Sequence, residues 1–292
     1  MTGDEFVQTL LNGLMLSSIY VLMASGFTLI YSIMHIVNFA HGEIYMLGAF
    51  CIYYFFAQYE LNYFLALLVT MALIGILGVI LERVLFLPLQ EAHLPQVILS
   101  LGLAMTLQGV ASVAFGAGDK AVTGPFTGVL RFGGAAISVE RLIIIPISAA
   151  IVAALVAFVK WTRRGQAMRA VAQDPEAAAL QGINVAFISC LAFGVGCALA
   201  AAAGALIAPV FLVNPFMGGS AVMKAFIIIC IGGMGSISGA AVGGLLLGFV
   251  DSFGATLFGG SVAQLLGFVI LIMIPLLSKI IGFRGLGRVL RA

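Results

Sequence analysis

Eight apolar runs, most of them close to twenty residues long, occupy nearly all of this 292-residue chain. A helix that crosses the hydrocarbon core of a bilayer needs ~20 predominantly apolar residues. The runs fall at about 6–34, 39–58, 62–82, 94–115, 141–159, 185–213, 222–250 and 262–281. Charged residues make up 8% of the sequence, against roughly 25% in a soluble domain. That is too little polar surface to wet a globule. The reading is an all-α, polytopic membrane protein of about eight transmembrane segments, forming one transmembrane domain over 1–292. The net charge of +2 is spread over loops, so it forms no nucleic-acid patch.

Basic residues set the expected orientation, because loops rich in Lys and Arg stay on the cytoplasmic side. Lys160, Arg163, Arg164 and Arg169 cluster in one loop, and Lys279, Arg284, Arg288 and Arg291 cluster at the C-terminus. Counting crossings back from the first cluster places the N-terminus outside; the C-terminus is expected in the cytoplasm. Loop 116–140 then lies outside, and its alternating Val129, Phe132 and Ile137 point to a small hairpin. Three runs separate the two basic clusters, and three simple crossings cannot return a chain to its starting side. One of them must be broken or re-entrant. Run 222–250 is the candidate, because Gly232-Gly233-Met234-Gly235-Ser236-Ile237-Ser238-Gly239 holds too much glycine for an unbroken helix. Run 6–34 is also long and interrupted by glycine and polar residues.

Irregular backbone at membrane depth persists only when it is buried in protein or lines a wet cavity. Gly232, Gly233, Gly235, Ser236 and Gly239 are therefore candidates for the substrate pathway. Gly235, Gly239 and Gly243 repeat at i, i+4, i+8, and Gly244 and Gly248 add another such step, a spacing that lets helices approach closely. A second polar interruption, Asn38-Phe39-Ala40-His41-Gly42-Glu43, supplies Asn38, His41, Gly42 and Glu43 as gate candidates, with His35 just before it. Alternatively, Asn38 caps the next helix and Glu43 complements its dipole. Interrupted helices in corresponding halves of a transporter point to a substrate site between repeats. Here 41–48 is paired with 238–244. Lys224 and Asp251 read as an interfacial lysine and a solvated helix end. Cys51, Cys190, Cys197 and Cys230 read as small buried hydrophobes, with no metal-ligand spacing.

The one long polar run is Lys160 to Asn184. Asp174-Pro175 opens a short helix, with Asp at the N-cap and Pro at N1, and Gly182 closes it. A helix this short is marginal in water alone, so it needs a partner surface. The chain carries no G-x-x-x-x-G-K-[ST] phosphate loop and no catalytic constellation, so an intramembrane enzyme is unsupported.

Glu176-Ala177-Ala178, three residues and then Gly182 resembles the EAA–xxx–G coupling motif of ABC importer permeases, without its usual Ile-x-Leu-Pro continuation. Nearly the whole chain resembles the permease subunits of branched-chain or hydrophobic amino-acid importers. The resemblance is carried by Gly13 to Tyr31, Asn38 to Gly48, Arg169 to Asp174, Gly182-Ile183-Asn184 and Gly232 to Gly239, with a modified tail motif at Gly282 to Gly287. It implies a type II-like importer fold in a bacterial inner membrane. It also implies a second, identical or homologous permease, two cytoplasmic ATPases that dock on 165–184, and an extracytoplasmic solute-binding protein. ATP and Mg would act on the ATPases, with no cofactor in this chain. Arg169, Asp174, Glu176, Ala177, Ala178 and Gly182 become the coupling candidates. The implied cargo is a branched-chain or other hydrophobic amino acid, or a related small amide or acid. From the residues alone, an ion-coupled secondary transporter or channel stays open as the alternative.

Overall fold

A computed structural model describes residues 3–280 apart from 91, 127, 133 and 134. The modified tail motif and the basic residues Arg284, Arg288 and Arg291 lie outside the described residues. In chain order the helices are α1 (Gly3–Met34), α2 (His41–Ile52), α3 (Tyr63–Leu81), α4 (His93–Phe115), α5 (Val139–Trp161), α6 (Arg163–Gln173), α7 (Pro175–Leu180), α8 (Val185–Ile207), α9 (Met217–Gly232), α10 (Ile237–Phe258) and α11 (Gly260–Ile280). Between α4 and α5 the strands β1 (Val129–Phe132) and β2 (Ala135–Ser138) pair antiparallel, with Leu130 opposite Ile137. Six helical stretches are long and apolar enough to cross a membrane: Gly3–Met34, Tyr63–Leu89, His93–Phe115, Val139–Trp161, Val185–Ile207 and Ile237–Phe258. Short π-helical stretches, Tyr53–Gln58 and Glu82–Phe86, extend α2 and α3.

Helices α1 and α8 form the axis of the molecule. Their apolar windows are 72% and 61% buried, whereas that of α4 is 11% buried, so α4 presents its sides to lipid or to a partner. The two axial helices cross where Gly26 faces Gly196 and Leu199, and Ile30 faces Gly196. The residue numbers rise on one helix as they fall on the other, so the pair is antiparallel. Helix α10 runs antiparallel along α1: Gly244 packs on Val21 and Gly248 on Ser17. Three side-chain hydrogen bonds tie the same seam, with Ser17 donating to the Leu245 carbonyl at 3.0 Å, Ser252 to the Thr9 carbonyl at 2.7 Å, and the Thr9 and Thr256 hydroxyls paired at 3.1 Å. On the other side α3 runs along α8 through Gly75 and Gly78 against Gly194, Cys197 and Ala198. In an apolar solvent no hydrophobic force separates helix from lipid, so close packing and interhelical hydrogen bonds hold such seams.

Two units thus share one plan: long helix, short helix, long helix. The first is α1–α2–α3 and the second α8–α9–α10. Because α1 and α8 are antiparallel, the units are inverted with respect to each other. This arrangement pairs α2 with α9, and the non-helical stretch 35–40 with 208–216. It corrects the expected match of 41–48 with 238–244. That match followed glycine spacing, but the glycines serve helix contacts. Gly239 and Gly243 face α9, and Gly244 and Gly248 face α1.

One further expectation changes, for run 6–34, and one holds, since run 222–250 is broken as expected. Run 6–34 is one unbroken helix: Gly13 and Ser17 lie against α10 and Gly26 against α8, while Ser18, Ser25 and Ser32 donate to carbonyls one turn back in the same helix. Run 222–250 is not a single segment. The chain breaks at 233–236, where Gly233 and Gly235 take φ of +92° and +87°, a region that β-carbons disfavour. Gly235 is therefore in the break and not on the α10 glycine face. Ser236 accepts a hydrogen bond from the Gly239 N–H and starts α10. The extra reversal resolves the odd count of crossings. The molecule has two ends: a basic end carrying α6, α7 and the 233–236 break, and a hairpin end carrying β1–β2, residues 59–62 and residues 208–214.

Candidate functional site: two clefts joined by a packed middle

At the basic end, Thr162 caps α6 by accepting from the Gly165 N–H at 3.0 Å. Gly165 lies against the carbonyls of Phe158 and Val159, so α5 turns into α6 with no room for a side chain. Asp174 caps α7 through the N–H groups of Glu176 and Ala177, at 3.0 and 2.9 Å. Gly182 follows with φ +82°, and Asn184 caps α8 through the Phe187 N–H. Of the α7 residues Ala178 faces inward, while Glu176, Ala177 and Ala179 are exposed and Leu180 is 88% exposed. The helix is capped through Asp174 and exposes the apolar Leu180 at its tip.

Beside it opens a cleft of ≈ 920 Å³, lined by Ser32 and His35 of the α1 end, Lys160, Arg169, Gly235 of the break and Ser238 in the first turn of α10. The structure therefore brings one coupling candidate, Arg169, together with one pathway candidate, Gly235. Arg169 also donates to the Lys160 carbonyl at 3.5 Å. Gly232 does not line the cleft; it packs on Gly239 and closes the α9–α10 seam.

The cluster Asn38, His41, Gly42 and Glu43 lies deeper and lines neither this cleft nor the cavity at the opposite end. Asn38 does not cap α2. Its Oδ1 accepts from the Ala40 N–H at 3.0 Å, and Ala40 occupies the cap position without a side-chain bond. His41 is fully buried, with Nε2 3.3 Å from the Met23 carbonyl and its ring edge-on to Phe27. Glu43 sits in the first turn of α2 with its carboxylate against Gly218 in the first turn of α9. The N-termini of both short helices converge there, and a carboxylate complements the positive end of each dipole. These residues form a packed middle rather than an open lining.

Towards the hairpin end lies a second cavity of ≈ 430 Å³, reached by Tyr20, Tyr45, Asn214, Ser220 and Lys224 among apolar walls. Its polar feature was missed in the sequence. Lys224 is neither interfacial nor snorkelling, and Asp251 is not a solvated helix end. Lys224 Nζ lies 2.5 Å from Asp251 Oδ2 and 2.5 Å from the Tyr20 hydroxyl, and Tyr20 donates to the same Oδ2 at 2.6 Å. Charges inside a membrane are costly and pair with one another. The available signal was a lysine and an aspartate each alone in an apolar run, 27 residues apart; that α9 folds back along α10 was not visible.

The chain matches the family described as "branched-chain amino acid transport system / permease component" over residues 9–276. It is 34% identical to the high-affinity branched-chain amino acid transport system permease protein LivH of Salmonella typhimurium, over 93% of each chain. It is 33% identical to LivH of Escherichia coli K12 with the same coverage. Against BraD, the permease protein of the equivalent system in Pseudomonas aeruginosa, it is 34% identical over 93% of this chain and 94% of that one. No solved structure matches. A capped polar helix, a glycine-broken helix pair and nearly full-length similarity converge: this multi-pass inner-membrane chain is a transport permease subunit, not an enzyme, and it belongs to the branched-chain amino acid transport system permease family.

Proposed function

We propose that this subunit forms half of the pathway of an ATP-driven importer for amino acids with branched or other apolar side chains. The observation that carries the mechanism is the cleft in which Arg169, beside the exposed helix α7, meets the α9–α10 break at Gly235. The basic end faces the cytoplasm, as its Lys and Arg residues favour, and the hairpin end and N-terminus face outward. Two ATPase subunits dock on 165–184, with Leu180 seated in an apolar pocket of the ATPase. ATP and Mg are used there; this chain carries no cofactor. Closure of the ATPases moves α6 and α7, and the motion passes through the break at 233–236 to α9 and α10, which move as one pair held by the Gly232–Gly239 contact and the Lys224–Asp251 bridge. That motion opens the basic-end cleft in alternation with the hairpin-end cavity. A solute-binding protein delivers substrate to the polar surface around Gln58, Glu60, Asn62 and Thr123. A second permease, identical or homologous, completes the pathway. Similarity to LivH and BraD, whose names state branched-chain amino acid transport, supports the cargo.

The test is purification of the subunit from mild detergent and identification of what accompanies it. The reading expects a P-loop ATPase and a permease partner. Recovery of the chain alone in every detergent, with uptake driven by an ion gradient, would overturn it.

A further inference from the structure

We infer that Lys224, held by Asp251 and Tyr20, binds the carboxylate of a zwitterionic substrate in the hairpin-end cavity. The inference rests on the importer reading and adds to it a residue and a ligand charge type.

The three groups come from three helices, α1, α9 and α10. An ammonium has three donors. Two are engaged, by Tyr20 and Asp251, both at 2.5 Å. The third is left for a ligand. Lys224 and Tyr20 line the cavity and Asp251 does not; the lysine side chain is 27% exposed and the aspartate 7%. The cation thus reaches this cavity with its counter-ion set back from it, and the pair also borders a small crevice beside Gln264 and Phe268 of α11. Among the described side chains, Lys224 is also the one Lys or Arg placed in the middle of an apolar helix.

The rest of the cavity fits the same ligand. Ile19, Met23, Ile207, Phe211 and Phe216 give an apolar wall, and ligand sites combine such walls with a few convergent polar groups. Charge balance selects among ligands. The Lys224–Asp251 pair is neutral, so a zwitterion enters without adding net charge to a poorly solvated site. A carboxylate lacking an amine would add one uncompensated charge. An amine lacking a carboxylate would leave the free ammonium donor of Lys224 unmatched.

The experiment measures ATP-driven uptake of L-leucine by the full complex with Lys224→Met and with the double substitution Lys224→Met/Asp251→Leu. Replacing both members of a buried ion pair by apolar residues is often neutral for stability. If the pair only joins helices, the double variant recovers uptake close to that of the unsubstituted complex, and the proposal is overturned. If Lys224 binds substrate, both variants lose uptake by about 100-fold, the scale of losing one partner of a buried charged contact, although the double variant assembles. A second measurement decides the matter even if that variant fails to assemble. Alkylation of Ser220→Cys, one turn from Lys224, is followed with leucine or isoamylamine, which keeps the side chain and lacks the carboxylate. Leucine at ten times its half-saturating concentration should slow labelling by about tenfold, and isoamylamine should not. Equal protection by both, or by neither, overturns the site. An unsubstituted complex that moves no leucine on ATP would instead sink the importer reading beneath it.

Discussion

Gly42 rests on the backbone carbonyl of Gly218, so the first turns of α2 and α9 touch without an intervening side chain. A Cβ at Gly42 would also meet Val222 at 2.9 Å, and a Cβ at Gly218 would meet the Glu43 carboxylate at 2.6 Å. It is one of several close contacts between the two inverted units, alongside Gly26–Gly196 and Gly48–Ala201.

Alanine at Gly42 or Gly218 should force these helices apart. Overpacking of a tight core costs about 1–3 kcal/mol. Both variants should show a lower unfolding midpoint in detergent and reduced uptake. Gly102→Ala in α4, where no atom lies within 4 Å of the added carbon, should be neutral or slightly stabilising. Equal behaviour of Gly42→Ala and Gly102→Ala would remove the packing argument.

Leucine at Gly239 should abolish uptake while association with the ATPase persists. Gly239 and Gly232 pack backbone to backbone across the α9–α10 seam, a contact no side chain can enter. At Gly235 the space is open but φ is +87°. Alanine there should cost about 1–2 kcal/mol through backbone strain alone and reduce uptake only partly. Full flux in Gly239→Leu would exclude the seam from the moving parts.

Glu176→Lys or Gly182→Pro should leave the protein in the membrane but uncouple ATP hydrolysis from uptake. Both positions lie on the exposed turn held by Asp174 and do not contribute to the buried core. Asp174→Ala removes a cap accepting from two N–H groups and should cost about 1 kcal/mol, with a graded loss of transport. Unaltered uptake in the first two variants would exclude α7 as the docking element.

Asn38→Ala should destabilise the fold although Asn38 lines neither the cleft nor the cavity. Its Oδ1 is the acceptor for the Ala40 N–H, and a buried donor left without a partner costs about 1–3 kcal/mol. A lower unfolding midpoint with an unchanged half-saturating leucine concentration is the expected pattern. A change in half-saturation alone would place Asn38 on the pathway instead.

Much of the architecture was legible because each local rule acts on neighbours in sequence. Apolar run length marked the helices, Asp174-Pro175 and Gly182 bounded α7, and the glycines at 232–239 marked a break. The candidate site was legible in part. The polar cluster at 38–43 was visible, but its burial was not, because a polar residue at membrane depth can equally face a cavity or a neighbouring helix. Lys224 and Asp251 were read as separate surface positions, and Tyr20 was not singled out, because the three come from three helices.

By itself the sequence determined that the chain is a helical membrane protein, where its polar docking helix starts and stops, and where a helix must break. These follow from hydropathy, caps and glycine, all short-range properties of a chain whose helices satisfy their own backbone hydrogen bonds in lipid. Only the tertiary structure decided which helices pair, that α2 answers to α9, and that a lysine and an aspartate 27 residues apart meet. Those outcomes depend on close backbone approach between helices, which the positions of small residues permit at many pairs and the folded packing realises at few.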